Sequence, residues 1–132
     1  MGNHNVKVIF LRLFFFLVIG LSGGCSQRNW TAKIYVVMAE NEMDRAHQLK
    51  TKVPYAERQK YFRKACHYFS KAYEYDRTVF TFNRIEVAID ACWRAEDSEK
   101  EEMFKGFGSQ YVKEHPKEYE YGDAGLNMIE MG

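Results

Sequence analysis

The chain has 132 residues, of which 46% are hydrophobic and 16% aromatic, and it contains only two prolines. Abundant apolar side chains with few helix breakers are typical of a packed helical domain and argue against intrinsic disorder. The formal net charge is +1, and 17 basic and 18 acidic residues follow residue 24. This near-neutral balance argues against a nucleic-acid-binding protein, which would need a basic surface.

The first 24 residues have the pattern of an export signal. Residues 1–12 carry two positive charges and no acidic residue, residues 13–21 form an apolar run, and three small residues lead to Cys25. This order of basic, apolar and small segments is typical of a secretory signal. The nine-residue run is much shorter than the roughly 20 apolar residues that span a bilayer.

The residues around Cys25 indicate a lipid anchor. Leu-Ser-Gly-Gly-Cys at residues 21–25 resembles the bacterial lipobox, although Ser22 stands where the lipobox usually has Leu, Val or Ile. The resemblance implies that residues 1–24 are removed, that Cys25 carries the lipid, and that residues 25–132 form one domain in the bacterial cell envelope facing the periplasm. Ser26, by resemblance to the enterobacterial sorting rule, favours the outer membrane. Cleavage by an ordinary signal peptidase and an uncleaved anchor are the alternatives.

Turn signals divide the remaining chain into four predicted helices and a polar tail. The predicted helices are Trp30–Lys50, Tyr55–Tyr75, Val79–Ala95 and a fourth from Ser98 to the His115-Pro116 pair. The first contains β-prone residues at 34–38, which weaken the helical signal there. Beyond Lys117 the tail is polar, with a short helix predicted near residues 126–131.

The second predicted helix has the clearest apolar stripe, with its members at spacings of four, four and three residues. They are Tyr61, Ala65, Phe69 and Ala72. The fourth helix is predicted to begin with a capping box, because Ser98 and Glu101 have the spacing at which a hydroxyl and a carboxylate satisfy free backbone N–H groups.

Two cysteines other than Cys25 lie on the second and third helices. An oxidising compartment allows a disulfide between Cys66 and Cys92. A hairpin centred on Arg77, however, sets Cys66 nearer to residue 88, which offsets the two cysteines by about one turn, or roughly 6 Å. A bridge requires Cα atoms within about 7 Å. We expect two buried free cysteines, with the disulfide as the alternative.

The sequence lacks a pattern that would carry chemistry. Cys66, His67, Cys92 and His115 do not have the spacing of a metal site, since adjacent helical residues point to different faces. No activating third group accompanies a cysteine-histidine pair. We therefore expect no catalytic residue, no metal and no cofactor.

Small and aromatic residues recur at fixed positions on the last three predicted helices. They are Ala65, Phe69 and Ala72, then Ala88, Ala91 and Ala95, then Phe104 and Pro116. This pattern resembles the helical hairpins of the tetratricopeptide repeat (TPR) family. Ala65 and Phe104 are 39 residues apart, against 34 for the family, which implies a longer loop or longer helices. The resemblance covers residues 58–116 and implies antiparallel hairpins stacked as a short TPR-like array; an unrelated helical bundle is the alternative.

A polar stripe lies on the otherwise apolar third helix. Its members, together with two neighbours, are Asn83, Arg84, Glu86, Asp90, Trp93 and Arg94. In TPR proteins the first helix of each repeat lines the groove that holds a partner peptide, so the resemblance implies that these residues bind a partner. An ordinary solvated face is the alternative.

These patterns together predict a lipid-anchored periplasmic adaptor or scaffold that binds another cell-envelope protein or a peptide segment of one, and that is not an enzyme. Two alternatives remain open. The first is a small-ligand-binding or enzymatic accessory domain of an envelope transport system, with an apolar pocket among the aromatic residues. The second is a structural lipoprotein of a cell-envelope or mobile-element system.

We predict that Cys25→Ser abolishes incorporation of labelled lipid and releases the protein from membranes, because the acceptor thiol is lost. Metabolic labelling with radioactive palmitate and membrane fractionation measure the two effects. Ser26→Ala, one residue further on, serves as the matched control and should keep the label. Labelled lipid on the Cys25→Ser protein would contradict the assignment.

Overall fold

The computed structural model describes the backbone of residues 24–119 and the side chains of residues 26–118. This part of the chain is helical and contains no strand, so the predicted all-α class is confirmed. Its elements are α1 (Gly24–Gln48), α2 (Tyr55–Tyr75), a 3₁₀ turn (Arg77–Val79), α3 (Phe82–Arg94), α4 (Ser98–Glu114) and a second 3₁₀ turn (Pro116–Tyr119). Residues 1–23 of the predicted signal (residues 1–24), the side chain of Cys25 and the predicted helix near residues 126–131 lie outside the described part.

Helix α1 begins six residues earlier than predicted, at Gly24 rather than Trp30. Its buried residues follow the helical period along one face; they are Ala32, Val36, Ala39, Met43 and Ala46. The β-prone residues at 34–38 are helical because Val36 belongs to the core that α1 shares with α2. Packing of this face outweighs their intrinsic preference for strands.

Helix α2 has the bounds that the sequence predicted, Tyr55–Tyr75. Ala65, Phe69 and Ala72 of its predicted stripe have no exposed surface. Tyr61 is only half-buried, and Phe62 is fully buried in its place. The buried surface of α2 is broad because α2 packs against α1 on one side and against α3 and α4 on the other.

Helix α3 begins at Phe82, so its predicted start at Val79 is wrong. Two side-chain caps separate it from α2. A carboxylate oxygen of Asp76 accepts hydrogen bonds from the backbone N–H of Thr78 at 3.0 Å and from its hydroxyl at 2.6 Å. Thr81 then accepts a hydrogen bond from the N–H of Arg84 at 3.3 Å. Asp76 thus satisfies a backbone donor at the start of the 3₁₀ turn, and Thr81 satisfies one at the start of α3. The two caps place the 3₁₀ turn between α2 and α3.

The N-cap of α4 is Asp97, so the predicted capping box at Ser98 is wrong. Asp97 Oδ1 accepts a hydrogen bond from the N–H of Lys100 at 3.1 Å, and Ser98 is the first helical residue. Glu96 has a φ of 59°, the left-handed conformation that lets the chain reverse between α3 and α4. The carboxylate one residue earlier therefore takes the position that the sequence pattern assigned to the hydroxyl.

Aromatic rings join α2, α3 and α4 in the core. Tyr73 of α2 lies 5.1 Å from Phe107 and 5.8 Å from Phe104, measured between ring centroids. Phe80, just before α3, lies 5.7 Å from both phenylalanines of α4. Rings at such separations attract each other in tilted and edge-to-face geometries. The second hairpin, α3 and α4, is thereby packed against α2.

A disulfide joins Cys66 of α2 to Cys92 of α3, so the expectation of two free cysteines is wrong. The Cα atoms are 4.8 Å apart, and both residues are buried. The predicted offset assumed a hairpin centred on Arg77. The 3₁₀ turn and the two residues that follow it lengthen the connection on the α3 side. They move the centre of the hairpin to Val79, which brings the two cysteines opposite each other.

We predict that the Cys66→Ala, Cys92→Ala double variant is less stable by about 2–4 kcal/mol, because the bridge restricts the unfolded chain over a separation of 26 residues. Denaturant titration with and without a reducing agent measures this loss. The reductant should lower the stability of the wild-type protein by a similar amount and leave the double variant unchanged. A wild-type curve that does not respond to reductant would contradict the bridge.

Candidate interaction groove

A groove with a volume of about 510 Å³ lies between α1 and α3. The two helices are not neighbours in the chain; both pack against α2, which lies between them in sequence. The groove is lined by Glu40, Met43, Asp44 and His47 of α1 and by Asn83, Arg84, Glu86, Val87 and Asp90 of α3. Met43 is buried and Val87 half-buried, while most of the charged side chains are exposed or half-buried. The surface therefore combines an apolar floor with polar walls.

Four of the six residues predicted to bind a partner line this groove: Asn83, Arg84, Glu86 and Asp90. Trp93 and Arg94 do not. Trp93 is 61% exposed on the last turn of α3, and Arg94 is the last residue of that helix. The part of the predicted stripe from Asn83 to Asp90 therefore lies together in the groove, whereas its C-terminal end lies outside the groove.

Arg94 holds the end of α3 against α2. Its Nε donates hydrogen bonds to both carboxylate oxygens of Asp90, at 3.0 and 3.1 Å, and its guanidinium lies 5.2 Å from the centre of the Phe62 ring. The carbonyl oxygen of Arg94 accepts hydrogen bonds from Tyr55 at 3.2 Å and from Gln59 at 3.3 Å. These contacts give Arg94 a role in helix packing, outside the groove.

The α1 wall of the groove was not predicted. Glu40, Asp44 and His47 lie at spacings of four and three residues, so they share one helical face. This polar stripe is visible in the sequence. Its role as a groove wall follows only from the packing of α1 beside α3. Periodicity within one helix does not reveal which non-consecutive helices are neighbours.

Arg84 joins the two walls at one end of the groove. Its Nε donates a hydrogen bond to Glu40 Oε1 at 3.3 Å, and its Nη1 donates one to the carbonyl oxygen of Val79 at 2.7 Å. The side chains of Arg84 and Glu40 are 38% and 46% exposed, so the ion pair contributes little to stability. Its geometric effect is to fix the guanidinium between α1 and the 3₁₀ turn.

Two carboxylates in the groove have no ion-pair or hydrogen-bond partner among the described residues: Asp44 and Glu86. Partial burial raises the pKa of Glu86, because desolvation disfavours the charged form. Since Arg84 and Arg94 are occupied by Glu40 and Asp90, the open part of the groove is negatively charged.

Other polar sites in the described chain are less suited to binding a partner than the groove between α1 and α3. A second cavity of about 510 Å³ lies between α2 and the α3–α4 connection, where Lys100 and Asp97 are paired at 3.6 Å. At the end of α4, the Tyr111 hydroxyl donates a 2.7 Å hydrogen bond to Glu118, and burial together with this bond raises the pKa of Tyr111 to about 12. Residues 26–118 contain no cluster of three or more His, Cys, Asp or Glu side chains arranged to hold a metal ion.

Among the described helices, none combines the length and the hydropathy needed to cross a membrane. Neither a protein-family model, nor a curated protein, nor a solved structure matches this chain. The arrangement of its own residues is therefore the basis for any functional proposal.

We predict that Glu86→Gln raises the melting temperature at pH 7 relative to the wild-type protein. A carboxyl whose pKa is higher in the folded state favours folding when it is protonated, and that contribution is lost as pH rises through the folded-state pKa. The amide removes the buried charge, so the difference should shrink as pH falls below the ordinary glutamate pKa. Thermal melts between pH 3 and 8 measure it.

Asn83→Ser is the matched control, because it changes a neutral side chain of the same groove. Its difference from the wild-type protein should be the same at every pH. A Glu86→Gln difference that is equally independent of pH would mean that burial of this carboxylate does not influence folding.

Proposed function

We propose that the protein is a lipid-anchored adaptor of the bacterial cell envelope that binds a segment of another envelope protein in the groove between α1 and α3. The observation that carries this proposal is the convergence of two polar helix faces on one open groove. The adaptor acts by tethering: the lipid at Cys25 holds the domain at the membrane, and the groove retains the partner. No catalytic step is part of this function.

The helix arrangement supports a TPR-like interpretation of the fold. Helices α1 and α3 line the groove, as the first helices of successive repeats do, while α2 and α4 contact each other through Tyr73 and Phe107. Close packing of the helices is supported by alanines without exposed surface: Ala65, Ala72, Ala88 and Ala91.

The disulfide supports a location outside the cytoplasm. Disulfide bonds form and persist in oxidising compartments such as the bacterial periplasm, whereas cytosolic thiols are kept reduced. The Cys66–Cys92 bridge is buried in the core and is part of the folded domain. It therefore agrees with the export that the N-terminal residues predict.

The charge of the groove indicates the chemistry of the partner segment. The lining includes four carboxylates and one arginine, and Asp44 and Glu86 have no partner among the described side chains. A basic segment would supply the missing positive charges, while its apolar side chains would cover Met43 and Val87. Complementary charge of this kind steers association and sets specificity.

The packing of the aromatic residues favours the adaptor over a ligand-binding or enzymatic accessory domain. That alternative requires an apolar cavity lined by Tyr and Phe. The rings of Tyr73 and Phe80 instead each lie 5.1–5.8 Å from those of Phe104 and Phe107, so the four rings fill the core that such a cavity would occupy. The groove between α1 and α3 has mostly polar walls.

We predict that the Asp44→Lys, Glu86→Lys double variant loses its partner while it remains folded. Reversed charges at the groove should lower recovery of cross-linked protein from membrane extracts at least about tenfold, because like charges brought together cost several kcal/mol. Affinity purification with cross-linking, followed by mass spectrometry, measures recovery of the partner. A thermal melt of the same variant checks folding.

Glu99→Lys with Glu114→Lys is the matched control. It changes the net charge equally on exposed positions of α4, away from the groove. Partner recovery should stay near the wild-type level in this variant. Equal losses in both variants would indicate a response to overall charge, and no loss in the groove variant would contradict the proposed binding surface.

A further inference from the structure

An apolar stripe is exposed along the first half of α1, on the face opposite its core residues. Its members recur at spacings of four, three and one residues: Trp30 (68% exposed), Ile34 (41%), Val37 (55%) and Met38 (37%). We call these four residues the α1 stripe. Large apolar side chains grouped on one exposed helix face mark an interaction site more often than isolated ones do.

The position of the stripe along the chain indicates what covers it. The apolar run at residues 13–21 ends just before Gly24, where α1 begins, and Trp30 follows Cys25 by five residues, or about 7.5 Å along the helix. Both a lipid on Cys25 and a retained apolar run would hold the start of α1 at a bilayer. On either attachment, the stripe would be the first large apolar surface of the described domain to reach the membrane.

Contacts with α2 hold this part of α1 in a fixed orientation. Arg28 donates hydrogen bonds to the carbonyl oxygens of Glu74 and Tyr75, at 3.2 and 3.3 Å, and its guanidinium lies 5.4 Å from the centre of the Tyr75 ring. Asn29 donates a 2.9 Å hydrogen bond to Asp76. The stripe is thus attached to the body of the domain, and its docking would orient the whole molecule.

We propose that the α1 stripe docks on the lipid surface beside the anchor, with the first half of α1 lying along the bilayer. The inference rests on the membrane attachment in the proposed function. Tryptophan concentrates at membrane–water interfaces, and amphipathic helices bury their apolar faces about 5–10 Å into the headgroup boundary. Lys33, exposed beside Trp30 and Val37, lies where anionic headgroups would neutralise it.

The size of the stripe favours lipid over a second copy of the chain. Stable protein interfaces take about 20–30 residues on each side, and the stripe has four. Docking also leaves the groove accessible. The α1 wall of the groove begins at Glu40, beyond the last residue of the stripe, and its residues lie about 40–100° around α1 from Trp30, so the stripe can contact lipid without covering the groove.

The two tryptophans of the chain allow a direct test. Trp93→Phe leaves Trp30 as the only tryptophan, and Trp30→Phe leaves Trp93, which is 61% exposed and outside the stripe. Trp93 adjoins Arg94, which contacts the first turns of α2, whereas the neighbours of Trp30 contact its last turn. Each full-length variant is purified from bacterial membranes and reconstituted into phosphatidylethanolamine–phosphatidylglycerol vesicles, with or without brominated acyl chains.

Trp30 emission is expected to shift to shorter wavelength and to lose at least about half of its intensity to the bromines, because the docked indole lies at the depth of the acyl boundary. Trp93 emission should change little. Adding Ile34→Ser and Val37→Ser to the Trp30 reporter should restore its emission, while a thermal melt shows whether the domain remains folded.

Vesicle flotation separates this inference from the proposed function. If the protein floats with the vesicles but its Trp30 emission is neither shifted nor quenched by the brominated lipids, the protein is anchored without docking. This result overturns the docking inference alone. A protein that does not float has no membrane attachment, which overturns both. Adding lipid in large excess dilutes the anchored molecules on the membrane. If the shift of Trp30 emission disappears on this dilution, a second copy of the chain covers the stripe, and the inference is also overturned.

Discussion

The Cys66–Cys92 bridge ties the central helix α2 to α3, and the geometry of the groove depends on this junction. Helix α1 packs mainly on α2, and α4 packs mainly on α3, so the two hairpins meet where α2 contacts α3. Aromatic rings at one end of α2 and the bonds of Arg94 at the other continue the same contact. Because α1 and α3 are held beside each other mainly by their attachment to α2, with the Arg84–Glu40 pair as a direct link, a shift at this junction would change the width of the groove.

Polar residues in this domain divide into those that hold helices and those that remain available. Asp90 and Arg94 satisfy each other, and Arg84 is bound to Glu40 and a backbone carbonyl. Such pairs add little free energy at the surface, but they position backbone and side chains. Glu86 is different, because its partial burial is not offset by a described cation. A surface that keeps an uncompensated charge at some cost to folding is suited to a partner that compensates it.

The sequence predicted helices better than it predicted their junctions. The bounds of α2 followed from Pro54 and a regular apolar stripe, and the polar stripe of α3 followed from helical spacing. The start of α3 was missed because Asp76 and Thr81 cap two successive turns, and the resulting change of register hid the disulfide. The α1 wall was missed because spacing within one helix cannot reveal its neighbours.

The length of α1 limits where a partner segment can be. Helix α1 has 25 residues and α3 has 13, so the first half of α1 extends beyond the groove. From Cys25 to Glu40 the helix rises about 22 Å, and to His47 about 33 Å. Measured from a lipid at Cys25, these distances are the greatest height at which the groove can stand. The anchored domain would therefore meet only those stretches of a partner that lie next to the bilayer, within roughly one membrane thickness.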